Sequence, residues 1–153
     1  MSSIPARMRR FVLERAGQRC EYCGLAQEGQ EATFRIDHIV PESAGGPTTT
    51  DNLALACVSC SLRKEARRSG LDVETGRTVA LFHPRRQSWS DHFVWDDVRV
   101  VGLTATGRVT ISTLNLNRTI ILNIRREEIE RGRHPPPLEF SLEAAHRGKS
   151  EAG

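Results

Sequence analysis

The sequence predicts an α+β fold stapled by zinc, and three observations carry that reading. Cys20-x-x-Cys23 and Cys57-x-x-Cys60 are two tight cysteine pairs, each suited to two corners of a tetrahedral site. Apolar residues recur at helical spacing over residues 4–17 and at strand spacing over 33–40. The chain has 153 residues, close to the commonest size of a single domain, and 38% of them are hydrophobic. That fraction is low for a self-sufficient core, so a structural metal fits the composition.

The four cysteines are also enough for two disulfides, and a redox dithiol is the main competitor to zinc. The N-terminus reads Ser2-Ser3-Ile4-Pro5-Ala6-Arg7, which is not a secretory leader. A reduced, cytoplasmic chain with paired CxxC is better read as a zinc protein. No stretch approaches the roughly 18 apolar residues of a membrane span. Net charge is only +3, but Arg7, Arg9, Arg10, Arg15 and Arg19 precede the first cysteine pair. Arg63, Lys64, Arg67 and Arg68 follow the second. Basic flanks on both knuckles fit a polyanionic partner, set against the plainer reading of solvated helix faces.

Taken in order, residues 4–17 predict an amphipathic helix with Ser3 as cap, Pro5 in its first turn and Gly17 at its end. Ile4, Met8, Phe11 and Val12 form its apolar stripe. Phe34, Ile36 and Val40 predict a strand, and Pro41 to Pro47, with Gly45-Gly46, a loop. Asp51-Asn52 leads Leu53–Ala56 into the second cysteine pair, and Ser61–Arg68 predicts a short helix with Gly70 past its end. Farther on, Val79–Phe82, Val98–Leu103 and Arg108–Leu114 read as strands, the last two joined by a turn at Ala105-Thr106-Gly107. Ile120, Ile121, Ile124 and Ile129 predict a helix over 118–131, ended by Gly132 and the run Pro135-Pro136-Pro137. The division is a core over 1–70, a strand-rich extension with a helix over 71–134, and a tail over 135–153 expected to be disordered. There is no internal repeat.

Cys20-Glu21-Tyr22-Cys23-Gly24, Ile36-Asp37-His38-Ile39-Val40-Pro41, Gly45-Gly46-Pro47, Asp51-Asn52-Leu53, Cys57-Val58-Ser59-Cys60 and Lys64 together resemble an HNH endonuclease. The match covers Cys20 to Lys64. A looser likeness to stand-alone bacterial HNH proteins runs through Leu81–Arg85, Trp89–Phe93 and Leu116-Asn117-Arg118. The resemblance implies a ββα-metal core, in which a β-hairpin and a helix grip a catalytic cation beside the four-cysteine zinc. It implies DNA as partner and phosphodiester hydrolysis as reaction.

By that resemblance His38 is the general base that activates water, and Asp37 holds a divalent cation. Asn52 bonds to backbone and fixes the loop that orients His38. Ser61 stands where the family usually has His or Asn as the second cation ligand, so a serine hydroxyl or a bridging water takes that place. The implied cation is Mg²⁺ or Mn²⁺, with Ni²⁺ or Zn²⁺ as alternatives. Imidazole titrates near pH ~6.5 and so accepts a proton at neutral pH, and a carboxylate–cation pair offsets charge developing on a phosphate. Lys64 and Arg67 are the favoured phosphate contacts, with Arg63 and Arg68 on the same segment, 63 and 67 sharing a helix face and 64 and 68 another. His83 and His92 are weaker candidates to fold back onto the site, His134 and His146 weaker still, and Glu42 reads as a loop carboxylate. Trp89 and Trp95 read as core residues. The rival function is a zinc-stapled nucleic-acid-binding module in which Ser61 marks lost catalysis. A third is a zinc-folded module that binds another protein. Oligomeric state is left open between monomer and dimer.

Overall fold

The computed structural model describes residues 3–138 and 140; His146 and most of the expected tail lie outside the described residues. Helix α1 spans Ala6–Arg15. Pro5, rather than Ser3, occupies its N-cap, and no side chain caps it. Gly17 stands just beyond the end at φ +61°, a left-handed turn that L side chains rarely adopt. Val12 is fully buried, while Ile4 and Met8 pack partly against the same core.

Strands β1 (Arg35–His38) and β2 (Leu53–Ala56) pair antiparallel, with Asp37 opposite Ala54 and His38 opposite Leu53. Their connection carries two 3₁₀ turns, Glu42–Ala44 and Thr50–Asn52. All four residues of β2 are buried, so the strand reads as an unbroken apolar run rather than an alternation. Helix α2 (Val58–Lys64) follows at once, because Cys57 is its N-cap and accepts from the Cys60 amide. It therefore begins and ends before the expected 61–68. Glu65, at φ +45°, breaks it. The helical face-sharing of 63 with 67 and 64 with 68 is corrected with it, since 67 and 68 are no longer helical.

Strands β3 (Ser69–Asp72) and β4 (Arg77–Ala80) form a second antiparallel hairpin, and β5 (Phe93–Asp96) and β6 (Arg99–Gly102) a third. Gly70 lies inside β3 rather than beyond a helix. A Cβ there would come within 2.9 Å of Val109 and closer still to Thr113, so glycine lets β3 approach the following helix. A short helix α3 (Trp89–His92) leads into β5.

The expected strand over Arg108–Leu114 and its turn at 105–107 are a helix, α4 (Ala105–Leu114). Thr104 starts it, its hydroxyl accepting from the Gly107 amide at 3.1 Å, and Asn115 ends it in a left-handed conformation. The β-branched content that suggested a strand is overridden by burial. Thr110 is fully buried; its hydroxyl donates to Thr106 O at 2.7 Å and accepts from Phe82 N at 2.9 Å.

Helix α5 (Thr119–Glu130) lies where expected, but its inward face is Ile121, Arg125 and Glu128. Ile120 and Ile129 are exposed, so the expected four-isoleucine stripe is reduced to Ile121 and the partly buried Ile124. One apolar cluster runs from Val12 through the cysteines to Phe93, Leu116 and Ile121. Trp89 belongs to it, donating Nε1–H to Tyr22 O at 2.9 Å and stacking on Trp95 at 5.0 Å.

Candidate active site

Each cysteine pair sits at a turn whose amide faces the first sulfur. Cys23 N points to Cys20 Sγ at 3.5 Å, and Cys60 N to Cys57 Sγ at 3.4 Å. The four sulfurs lie within 4.8 Å of one another, and Cys23 and Cys57 are 3.7 Å apart. A tetrahedron with Zn–S near 2.3 Å places its sulfurs about 3.8 Å apart, so the set fits zinc. All four side chains are buried and unbridged. Burial pushes the Cys20 thiol well up, while neighbouring S–H donors pull Cys57 strongly down. Four buried sulfurs this close form a ready-made cation site, and a bound cation would hold them as thiolates.

The knuckle at 20–23 is tied to β2 by its own Glu21. Glu21 N donates to Leu55 O, and Glu21 Oε2 accepts from Leu55 N, both at 2.8 Å. The second carboxylate oxygen meets Arg85 Nη2 in an ion pair in which both side chains are almost completely buried. Burial lowers the Arg85 pKa to about 9. Arg85 also reaches Leu53 O, the residue paired with His38.

Asp37 and His38 close β1 and turn toward different neighbours, as the twofold alternation of a strand requires. Asp37 faces α2. Burial raises its pKa, opposed in order by a hydrogen bond from Ser61 and by the charges of Lys64 and Arg35. His38 faces the β1–β2 loop, where its Nε2 lies 2.8 Å from Thr48 Oγ1 and 3.9 Å from Glu42 Oε1. Its side chain is 13% exposed, enough to be reached from solvent. Among the described residues, the cysteines are the group of three or more His, Cys, Asp or Glu side chains that converge, and Asp37 belongs to no second one.

Asn52 is buried and spends its amide entirely on the loop. Oδ1 accepts from Val40 N, and Nδ2 donates to Val40 O and Pro47 O. Gly46 makes this closure sterically feasible, since a Cβ there would overlap the carbonyl of Val40. Thr48, the partner of His38, lies inside the loop so fixed.

The basic residues separate into two kinds. Lys64 is 3% exposed, and its ammonium donates to Ile39 O at 3.0 Å and His38 O at 3.5 Å. It braces the end of β1 instead of standing free for a phosphate. Arg63, Arg67 and Arg68 are exposed. Of the remaining histidines, His83 approaches Lys64 closely enough to feel its charge. His92 is held by Thr104 Oγ1 at 2.6 Å, and His134 by Asp97 O at 2.9 Å, so neither joins Asp37 and His38. Sequence reasoning missed Thr48, the Glu21–Arg85 pair and Arg125. The Arg125 guanidinium lies over Trp95 at 5.0 Å, donates to Val98 O and feels the charges of three of the cysteines. None of these has a short-range signature; each pairing spans ten or more residues.

The sequence model of the HNH endonuclease family matches residues 20–67. Comparison with curated proteins and with solved structures gave no match. The matched stretch contains both cysteine pairs, the Asp37-His38 end of β1, Asn52 and all of α2. The likeness to the HNH endonuclease family is therefore confined to residues 20–67, the stretch that holds the cysteine cluster and the Asp37-His38 strand end.

Proposed function

We propose that this protein is a metal-dependent endonuclease that hydrolyses phosphodiester bonds in DNA. The observation that carries the reading is the junction of β1 with α2. Asp37 and His38 end one strand, Ser61 of α2 bonds to Asp37, and all three lie within the family match. Strand, strand and helix in this order supply the ββα unit. Zn²⁺ held by Cys20, Cys23, Cys57 and Cys60 is the structural metal.

His38 takes the proton of the attacking water through its imidazole, held in place by Thr48. Asp37, aided by the Ser61 hydroxyl or a water on it, is the ligand for Mg²⁺ or Mn²⁺. That cation supplies positive charge to a phosphate when bound. The burial that raises the Asp37 pKa also makes it responsive to a cation, which offsets the desolvation of the carboxylate. Asn52 sets the loop, and Lys64 the strand end, from which His38 projects. Arg63, Arg67 and Arg68 are the exposed phosphate contacts, Lys64 contributing long-range charge from its buried position.

A second reading, a nucleic-acid-binding module without catalysis, is favoured by Ser61 and by the lack of a second three-ligand group among the described residues. Incubation with supercoiled plasmid and Mg²⁺ or Mn²⁺ separates the two. Nicking or linearisation supports the enzyme, and a gel shift with no cleavage under any cation supports the module.

A further inference from the structure

A groove of about 290 Å³ lies beside the end of β1, between the segment that follows α2 and residues 80–87. One wall carries Lys64, Arg67 and Arg68, within the family match. The other carries His83 and Arg86, outside it. Ile39, which follows His38 directly, lines the inner end with Leu81 and Phe82. The groove is thus cationic at its rim and apolar at its base, the distribution of a nucleotide rather than of a simple anion.

The protonation of His83 can be read from its partners. Its Nδ1 lies 3.2 Å from the amides of both Arg85 and Arg86, which can only donate. Nδ1 is therefore unprotonated, and the neutral ring carries its hydrogen on Nε2, which has no hydrogen-bond partner among the described residues. Burial, the first cause, and the charge of Arg86 lower the His83 pKa to about 4, so the ring is neutral under ordinary conditions. Lys64 is occupied by backbone carbonyls, which leaves the exposed Arg67, Arg68 and Arg86 as the charges at the rim.

We infer that this groove holds the nucleotide adjoining the scissile bond. Arg68 and Arg86 take its phosphate, His83 Nε2–H donates to it, and the sugar and base lie against Ile39 and Leu81. The inference rests on the nuclease reading and adds a chain-specific wall to it. Arg86 and His83 lie beyond the stretch that marks the family, so substrate grip extends past the HNH domain.

The test is fluorescence anisotropy with a labelled DNA duplex, without added divalent cation, across a series of salt concentrations. Arg86→Ala is expected to weaken binding several-fold and to lower the log–log salt slope by about 1. His83→Asn, which keeps an acceptor for the two amides but loses the ring N–H, is expected to weaken binding without changing the slope. Arg99→Ala removes a likewise exposed charge from β6, outside the groove lining, and is the control. Equal affinity and slope for Arg86→Ala and Arg99→Ala, in a protein that still binds and cuts DNA, would overturn the groove alone. A wild type that fails to bind DNA would overturn the nuclease reading and the groove with it. Arg86 is exposed, so its variant keeps the test valid if His83→Asn does not fold.

Discussion

Asn52 and Val40 exchange two hydrogen bonds, Oδ1 accepting from Val40 N at 2.9 Å and Nδ2 donating to Val40 O at 3.0 Å. A side-chain amide here acts as a surrogate strand residue, matching both polar groups of a backbone unit. The third bond, to Pro47 O at 2.8 Å, closes the loop that carries Thr48 to His38. Asn52→Ala leaves one amide hydrogen and two carbonyls without these partners. At about 1 kcal/mol per bond, the expected destabilisation is about 2–4 kcal/mol. Urea unfolding would measure it, and Asn52→Asp, which keeps the acceptor but turns a carboxylate oxygen toward both carbonyls, should cost at least as much.

The Glu21–Arg85 pair makes a different prediction, because both charges are buried. Removing one partner strands the other, so Arg85→Met is expected to cost about 3–5 kcal/mol. Pairing it with Glu21→Gln, which keeps an acceptor for Leu55 N, should recover a large part of that loss. The double-mutant cycle is read from chemical denaturation, and strictly additive losses would mean that the two groups do not interact.

His83 predicts a pH dependence. Its pKa is lowered from 6.5 to about 4 in the folded chain, so in that window the unfolded chain binds the extra proton. The stability it contributes is complete above pH 6.5 and is lost as pH falls toward 4. His83→Asn should flatten this component of the stability profile, measured as the wild-type minus variant difference between pH 7 and pH 4. An unchanged difference across the window would contradict a neutral, half-buried ring.

For the metal, Cys57→Ser is expected to lose bound zinc and to unfold the 20–67 region, since binding at such sites is folding free energy. Elemental analysis and circular dichroism read both together. Strong chelation of the wild type should produce the same loss of signal. A Cys57→Ser protein with full zinc and an unchanged melting temperature would exclude the four-cysteine site.

Much of the site was legible because its signals are short in sequence. CxxC spacing brings two sulfurs to one turn, and the Asp37-His38 dipeptide needs only a strand to present it. The alternation around Phe34 and Ile36 supplied that strand. The burial of Lys64 was hidden because charge and position suggest an exposed helical face, whereas its stem runs inward to the carbonyls of His38 and Ile39. Helix α4 was misread because Val109, Thr110, Ile111 and Thr113 favour strands locally. Their helical state depends on the Thr104 cap, a local signal outweighed in the sequence by the β-branched run, and on packing beside β3 and β6, which the tertiary structure sets. The inward face of α5 was hidden for a related reason. Arg125 and Glu128 are buried charges whose partners, Val98 and Arg133, lie outside the helix.

The most direct measurement compares wild type with His38→Ala on supercoiled plasmid in Mg²⁺ or Mn²⁺, alongside DNA affinity and melting temperature. The expected result is nicking or linearisation by the wild type, and none by the variant, at nearly unchanged affinity and stability. Cleavage by His38→Ala at the wild-type rate would contradict the assignment of His38 as general base.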